Sequence, residues 1–190
     1  MDLSFANNIP PTTGCLLLSD PFEKDVHFVR SVVLVCNHDK EGTFGFVLNH
    51  YLDLPPESLH DDLQHYHEKL SIGGPVDKSN LFYIHRSNGE IQDSVKIIDN
   101  LYFGGDFQEI VNQLESGNSD FKVRFFIGYS GWDTGQLEDE LTQNAWIVVN
   151  QYDLDQLFDT KQNNLWKDLL RAQGPKFQVI SDFTITPENN

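Results

Sequence analysis

Gly128-Tyr129-Ser130-Gly131-Trp132-Asp133-Thr134-Gly135-Gln136-Leu137-Glu138 follows the apolar run Lys122 to Ile127 and precedes a polar stretch with helix-forming composition. The pattern predicts a strand over Lys122 to Ile127, a glycine-rich turn, and a helix opened by Asp133 with Gln136 three residues on, in capping-box spacing. Asp106 with Glu109 and Asp153 with Gln156 repeat that spacing, so three helix starts are expected.

Working outward, Ser31 to Cys36 (SVVLVC) is β-branched enough to be a strand buried on both faces, and Thr43 to Leu48 (TFGFVL) follows across His38-Asp39-Lys40-Glu41-Gly42. The two runs form a hairpin with a short loop closed by glycine. Gly14 to Leu18 is a further apolar run, and strands are expected at Leu81 to His85, around Val95 to Ile98, at Leu101 to Phe103 and at Ala145 to Val149. Pro55 to Leu70 is polar and loosely periodic, which reads as a solvated helix or lid ending before Gly73-Gly74-Pro75. A last helix is expected over Asn164 to Gln173, with Leu165, Leu169 and Leu170 on one stripe and Gly174-Pro175 stopping it.

Strands and helices do not alternate cleanly, so the order argues for an α+β fold with a mixed, mostly antiparallel sheet rather than a doubly wound parallel one. No repeat or Pro/Gly/Ser-rich linker divides the chain, and one domain over residues 1–180 is expected, with a C-terminal tail from Ser181 to Asn190 that frays.

The 190 residues carry 13 Lys and Arg against 29 Asp and Glu, a formal charge of −16. Such a surface repels phosphate backbones and anionic headgroups, so direct nucleic-acid or membrane contact is disfavoured and a basic protein partner is attracted. Cys15 and Cys36 lie in apolar runs and read as buried strand thiols, with a disulfide open only if neighbouring strands face them together. The N-terminal segment lacks the layout of a signal peptide, and no apolar run approaches the length of a membrane span, so a cytoplasmic location is expected.

Gly-x-Ser between a strand and a helix resembles a nucleophile elbow at Ser130. Against it, the second glycine comes one residue early, and all seven histidines lie at or before His85, so none follows the serine as the hydrolase chain order requires. An anion at the helix start would meet Glu138, Asp139 and Glu140, which already occupy the positive dipole end. Recognition by the aromatic faces of Trp132 and Tyr129 beside flexible glycine backbone is one use of the turn; simple packing of Trp132 over the sheet is the other.

Gly73-Gly74 and Gly104-Gly105-Asp106 are glycine pairs at element ends that either admit a ligand or serve tight turns and caps. Neither matches a nucleotide-binding loop, and no cofactor is expected. Asp61, His65 and Glu68, or His60, Gln64 and His67, would share a face of a helix, but a hydrated surface explains them better than a metal, and Cys36-x-His38 lacks further ligands. Arg30, among apolar residues, calls for a carboxylate partner, with Asp20 or Asp106 as the candidates.

In order along the chain, LLLSDP (Leu16 to Pro21), RSVVLVC, GFVLN (Gly45 to Asn49), GGPV, LYFGGD and RFFIGYSGWDTGQLEDEL resemble the YqgE/AlgH family. The resemblance implies an α+β fold whose mixed sheet is partly closed into a small barrel surrounded by helices. It implies no established activity or cofactor, and a regulatory label without DNA contact. In the family pattern the position of Ser130 is often Ala, which weakens a nucleophile there.

Two function classes follow. The first is a non-enzymatic binding or regulatory protein that takes an unknown small ligand or protein partner at Gly73, Gly74, Gly104, Gly105 and Asp106, with Tyr129, Ser130 and Trp132 beside them. Asn49 and Gln136, from the family-like blocks, join that set. The second is a hydrolase using Ser130 or the carboxylates Asp106 and Glu138.

Overall fold

The computed structural model describes residues 9–23, 25–88 and 91–181. Among these residues nine strands form one sheet: β1 (Leu16–Ser19), β2 (Val32–Asp39), β3 (Gly42–Val47), β4 (Ser71–Ile72), β5 (Val76–Arg86), β6 (Ser94–Ile98), β7 (Leu101–Gly104), β8 (Lys122–Asp133) and β9 (Trp146–Val149). Four α-helices accompany them among the described residues: α1 (Phe107–Glu115), α2 (Gln136–Thr142), α3 (Leu165–Ala172) and α4 (Pro175–Ser181). The strand order is β6-β7-β5-β8-β3-β2-β1-β9, with β4 set beside β8. All named pairings are antiparallel except β4 with β8, giving the mixed, mostly antiparallel sheet of an α+β fold.

The hairpin forms as its sequence dictates, β2 and β3 meeting through the Lys40-Glu41 turn with Asp39 opposite Gly42. The segment after Ile127 does not turn. β8 continues through Gly128-Tyr129-Ser130-Gly131-Trp132 to Asp133, pairing first with β5 and then, from Ser130 onward, with β3. It can do so because Gly128 takes φ +69°, and a Cβ there would sit 2.7 Å from the Val76 carbonyl oxygen. The pairing with β5 slips at the same level, between Val76 and Leu81, as at a β-bulge. Before Gly128 the even-numbered Phe126 points into the main core; after it the odd-numbered Tyr129 does. One long strand therefore joins two sheet halves and bends between them.

That bend curls the sheet into a half-barrel. Gly14, just before β1, lies against Ile98 at the end of β6, and the Tyr152 hydroxyl donates to the Gly14 carbonyl oxygen. Inside, rings meet across strands that are not neighbours: Phe44 of β3 and Phe103 of β7 are 5.0 Å apart, edge to face. Phe46 stacks on Phe126 at 4.5 Å, and Leu165, Trp166, Leu169 and Leu170 of α3 close the same core. The leucine stripe expected on this helix faces inward as the 3.6-residue period requires.

Several elements differ from the sequence pattern. β5 begins at Val76 rather than Leu81. Pro55 to Leu70 is not a solvated helix; it forms two 3-10 turns, Pro56–Ser58 and Asp61–His65, and buries Leu63, Tyr66 and Leu70 over Phe125. The helical spacing that would align Asp61, His65 and Glu68 is thereby lost, and no three potential ligand side chains converge among the described residues. Asp153 caps as expected, with Gln156 completing the capping box, but it opens a 3-10 turn, Leu154–Leu157. Asp133 ends β8, and the residue that opens α2 is Gly135 at φ +78°. Gly174 ends α3, yet Pro175 starts α4, because a proline at the first helical position has the right φ and no N–H to leave unbonded. That helix reaches Ser181, and the rest of the expected frayed tail lies outside the described residues. Cys15 and Cys36 are buried and free, on opposite faces of the sheet. No helix among the described residues is long and apolar enough to cross a membrane.

Candidate functional site

Ser130 is fully buried, and its hydroxyl donates to the Gly73 carbonyl oxygen at 3.0 Å. That carbonyl also accepts from the Val47 N–H, while the Gly73 N–H donates to the Ile127 carbonyl oxygen. The Gly73-Gly74 pair thus threads between β3 and β8 where these diverge, and a Cβ on Gly74 would run into Tyr129 backbone and the Ser130 hydroxyl. Tyr129, Ser130, Gly73 and Gly74 are together in space, but the serine is closed off and bonded.

The even residues of this stretch face away from the barrel. Trp132 is buried against Trp146, Phe28 and Leu137, and both indole N–H groups donate to one oxygen of Glu140, at 2.8 and 2.7 Å. Gln136 binds the other Glu140 oxygen through its side-chain amide and accepts from the Asp133 N–H. Trp132 and Gln136 therefore fasten α2 to the sheet. Nearby, His38 lies 2.6 Å from the Thr43 hydroxyl through Nδ1 and 3.6 Å from Glu138 through Nε2. The order hydroxyl, imidazole, carboxylate suits a proton relay, but Thr43 is buried beside its cross-strand partner Trp132, so the trio ties the hairpin to α2.

The remaining expected residues lie elsewhere. Asp106 caps α1 by accepting from the Glu109 N–H, and Gly105 accepts from the Tyr83 hydroxyl at 2.6 Å. Gly104, at φ +67°, is open on its Cβ side and follows Phe103 out of the barrel. Asn49 clamps the far end of the hairpin, accepting from the Val32 N–H and donating to the Arg30 carbonyl oxygen. Arg30 makes no ion pair with Asp20 or Asp106; its guanidinium lies 5.8 Å from the Trp166 ring centroid. Asp106 and Glu138 have different neighbours, Glu109 for one and His38 for the other.

Of the open surface cavities, one lies at the barrel mouth and holds expected site residues. A groove of about 430 Å³ runs over the ends of β2, β3 and β8, with Phe44, Val76 and Tyr129 as its apolar wall. Strand register explains it. Asn37, Phe44 and Gly131 lie in one cross-strand row, and Asp39, Gly42 and Asp133 in the next on the same face. The glycine in each row leaves the floor low. Gly42 is required by its fold, since it has φ +146° and a Cβ there would sit 2.6 Å from the Trp132 carbonyl oxygen. Gly131 is not: its φ lies outside the left-handed range, and a Cβ would touch only the Tyr129 ring, at 3.4 Å. Asp39 is held below the ordinary carboxylate value, first by the Asn37 side-chain amide and then by the Glu41 N–H.

Arg124 is the functional-looking residue that the sequence conceals. It is fully buried, its Nε and Nη2 donate to the Ser71 hydroxyl at 3.1 and 2.9 Å, Nη1 to the Leu157 carbonyl oxygen at 2.6 Å, and Nη2 to that of Leu48. Tyr51 and Phe126 lie 5.7 and 5.5 Å from it, ring centroid to guanidinium. Burial lowers its pKa, and nearby Tyr51 and Tyr66 oppose that shift. Every hydrogen-bond partner named here is neutral, so it acts as a buried cross-brace. A side chain sealed this way offers no donor to a ligand.

The profile of the AlgH-like family matches residues 16–178. The chain belongs to that family. It is 38% identical over 181 residues to a UPF0301 protein of Cytophaga hutchinsonii, covering 94% of this chain and 99% of that one. It is 36% identical over 188 residues to a UPF0301 protein of Bacteroides thetaiotaomicron, covering 97% and 94%. Among solved structures, a protein of Corynebacterium diphtheriae superposes with a TM-score of 0.78 at 22% identity, over 92% of this chain and 94% of that one. The AlgH protein of Pseudomonas aeruginosa does so at 0.70 and 24% identity, over 90% and 94%. At those identities the two structures establish the shared fold, and this AlgH-like chain keeps its half-barrel and helices.

Proposed function

We propose that this AlgH-like protein is a non-enzymatic binding protein, acting in the cytoplasm and exerting a regulatory effect through what it holds at the barrel mouth. The observation that carries the reading is the groove over Phe44, Val76 and Tyr129, where rings extend from the core to an open surface because Gly42 and Gly131 supply no side chains. Barrel mouths with an apolar wall and a few polar groups are common ligand sites. The buried, committed hydroxyl of Ser130 supports binding over hydrolysis. The charge of −16 supports action through small molecules or proteins rather than through DNA.

Native mass spectrometry on protein isolated from its own cells tests this. We expect a stoichiometric adduct on the unaltered protein that is absent from Gly131→Val, whose side chain fills the groove. Turnover on an ester, phosphoester and peptide panel that vanishes in Ser130→Ala would overturn the reading.

A further inference from the structure

Resting on that reading, we infer that the barrel mouth receives an arginine side chain presented by a basic protein partner. Asp39 and Asp133 stand on either side of Gly42, two strand spacings apart, or about 10 Å between backbones. A planar group lying over Gly42 has a carboxylate on each side and the Tyr129 and Phe44 rings behind it, 6.2 Å apart and edge to face. No Lys, Arg or His lines the groove, and among the described residues neither Asp39 nor Asp133 joins an ion pair.

Apolar wall and acidic rim together select the occupant. An aliphatic ligand would satisfy the rings and leave two negative charges partly desolvated without a counter-charge, Asp39 keeping only its neutral donors Asn37 and the Glu41 N–H. An anion would be repelled. An ammonium would bind the carboxylates as a hydrated point charge. A guanidinium does both tasks: it stacks on an aromatic face, is weakly hydrated, and directs N–H groups in a fixed fork toward two carboxylates. The charge of −16 adds long-range attraction that favours a basic macromolecule over a lone small cation. At about 430 Å³ the groove has room for such a side chain.

The test is a titration of the full chain with the peptide acetyl-Gly-Leu-Arg-Leu-Gly-amide, followed through the backbone amide signals of Gly42 and Gly131. We expect both signals to move, the citrulline peptide to bind at least about tenfold more weakly, and the lysine peptide to fall between them. Asp39→Asn and Asp133→Asn should each weaken the arginine peptide by about three- to tenfold, and raising salt to physiological strength should weaken it further. Gly131→Val should abolish it.

Equal affinity for the citrulline and arginine peptides would overturn the cation inference while leaving the mouth as a binding site. Arginine amide binding as tightly as the peptide would overturn the protein segment in favour of a small cation. If no peptide moves either signal, the inference fails, and indole serves as the second probe. Movement of Gly42 and Gly131 by indole then preserves the barrel-mouth reading; silence removes that reading as well.

Discussion

The two ends of β8 handle charge in opposite ways. Near its start Arg124 is fully buried and enclosed by the Leu48 and Leu157 carbonyls and the Ser71 hydroxyl. Near its end Asp133 is exposed beside two rings, with Asp39 across Gly42. Sealing a charge makes it part of the scaffold, because removing it strands acceptors in a dry interior; leaving it open beside apolar surface makes it available to something outside. The difference lies in what surrounds each charge: Val123, Phe125 and Phe126 beside Arg124, and Gly131 and Gly135 two residues either side of Asp133 with Gly42 across from it.

The comparison breaks most readily at the closed end. Arg124→Ala should cost about 3–5 kcal/mol in denaturant-monitored unfolding, since it leaves buried carbonyls without a donor. A loss under about 1 kcal/mol would mean that the guanidinium is not the brace between β8, the end of β3 and the 153–162 segment. On the outer face of the same strand, Glu140→Ala should cost about 2–3 kcal/mol, because two buried indole N–H groups lose one charged acceptor. Near-UV circular dichroism of Trp132 and Trp146 should change with it.

Acid probes a third kind of polar site. His85 is fully buried between the Ser87 and Ser94 hydroxyls and stacked on Tyr102, and burial pushes its pKa down from 6.5 to about 4. In the unfolded chain the ring takes up a proton near 6.5, in the folded protein only near 4. The stability that its neutral form confers is complete above pH 6.5 and is lost as pH falls toward 4, amounting in full to roughly 3 kcal/mol. His50, lowered by burial in the same direction, adds to the slope. His85→Phe should flatten the pH dependence of unfolding over that window; an unchanged slope would assign it to other groups.

The smallest expected effect sharpens the contrast most. Gly131→Val should change stability by no more than about 0.5 kcal/mol, because the site is a strand position where an added Cβ meets only the edge of the Tyr129 ring, in ordinary contact. A large loss would show that the glycine is demanded by the fold, as Gly42 is, and that the open end of β8 is scaffold too.

These residues also mark how far the sequence could be read. The β2–β3 hairpin was legible because β-branched runs flank a short polar turn, and α3 because its leucines keep a helical period. β8 was not, because its side-chain parity reverses at Gly128 and three glycines in eight residues mimic a turn. Pro55 to Leu70 is polar and loosely periodic with prolines suited to a helix start, so a solvated helix or lid was expected where 3-10 turns bury Leu63, Tyr66 and Leu70. Of the expected site residues, Tyr129 lines the mouth with its ring, while Trp132 is packed under α2. Phe44 and Gly131 were hidden because their partnership depends on β3 lying beside the end of β8, a register no local pattern states. Alternation in Thr43-Phe44-Gly45-Phe46 was the available signal, and it pointed only to a strand.

One feature of the topology reaches beyond the folded state. β1 and β9, the first and last strands among the described residues, are neighbours, so β1 waits for β9 before its second edge is covered. An apolar Leu16-Leu17-Leu18 edge stays available to other chains throughout that interval. Refolding of this protein should accordingly be slow and concentration-sensitive, as sheets closed by distant partners are, and a chain halted before Trp146 should aggregate rather than form a smaller barrel.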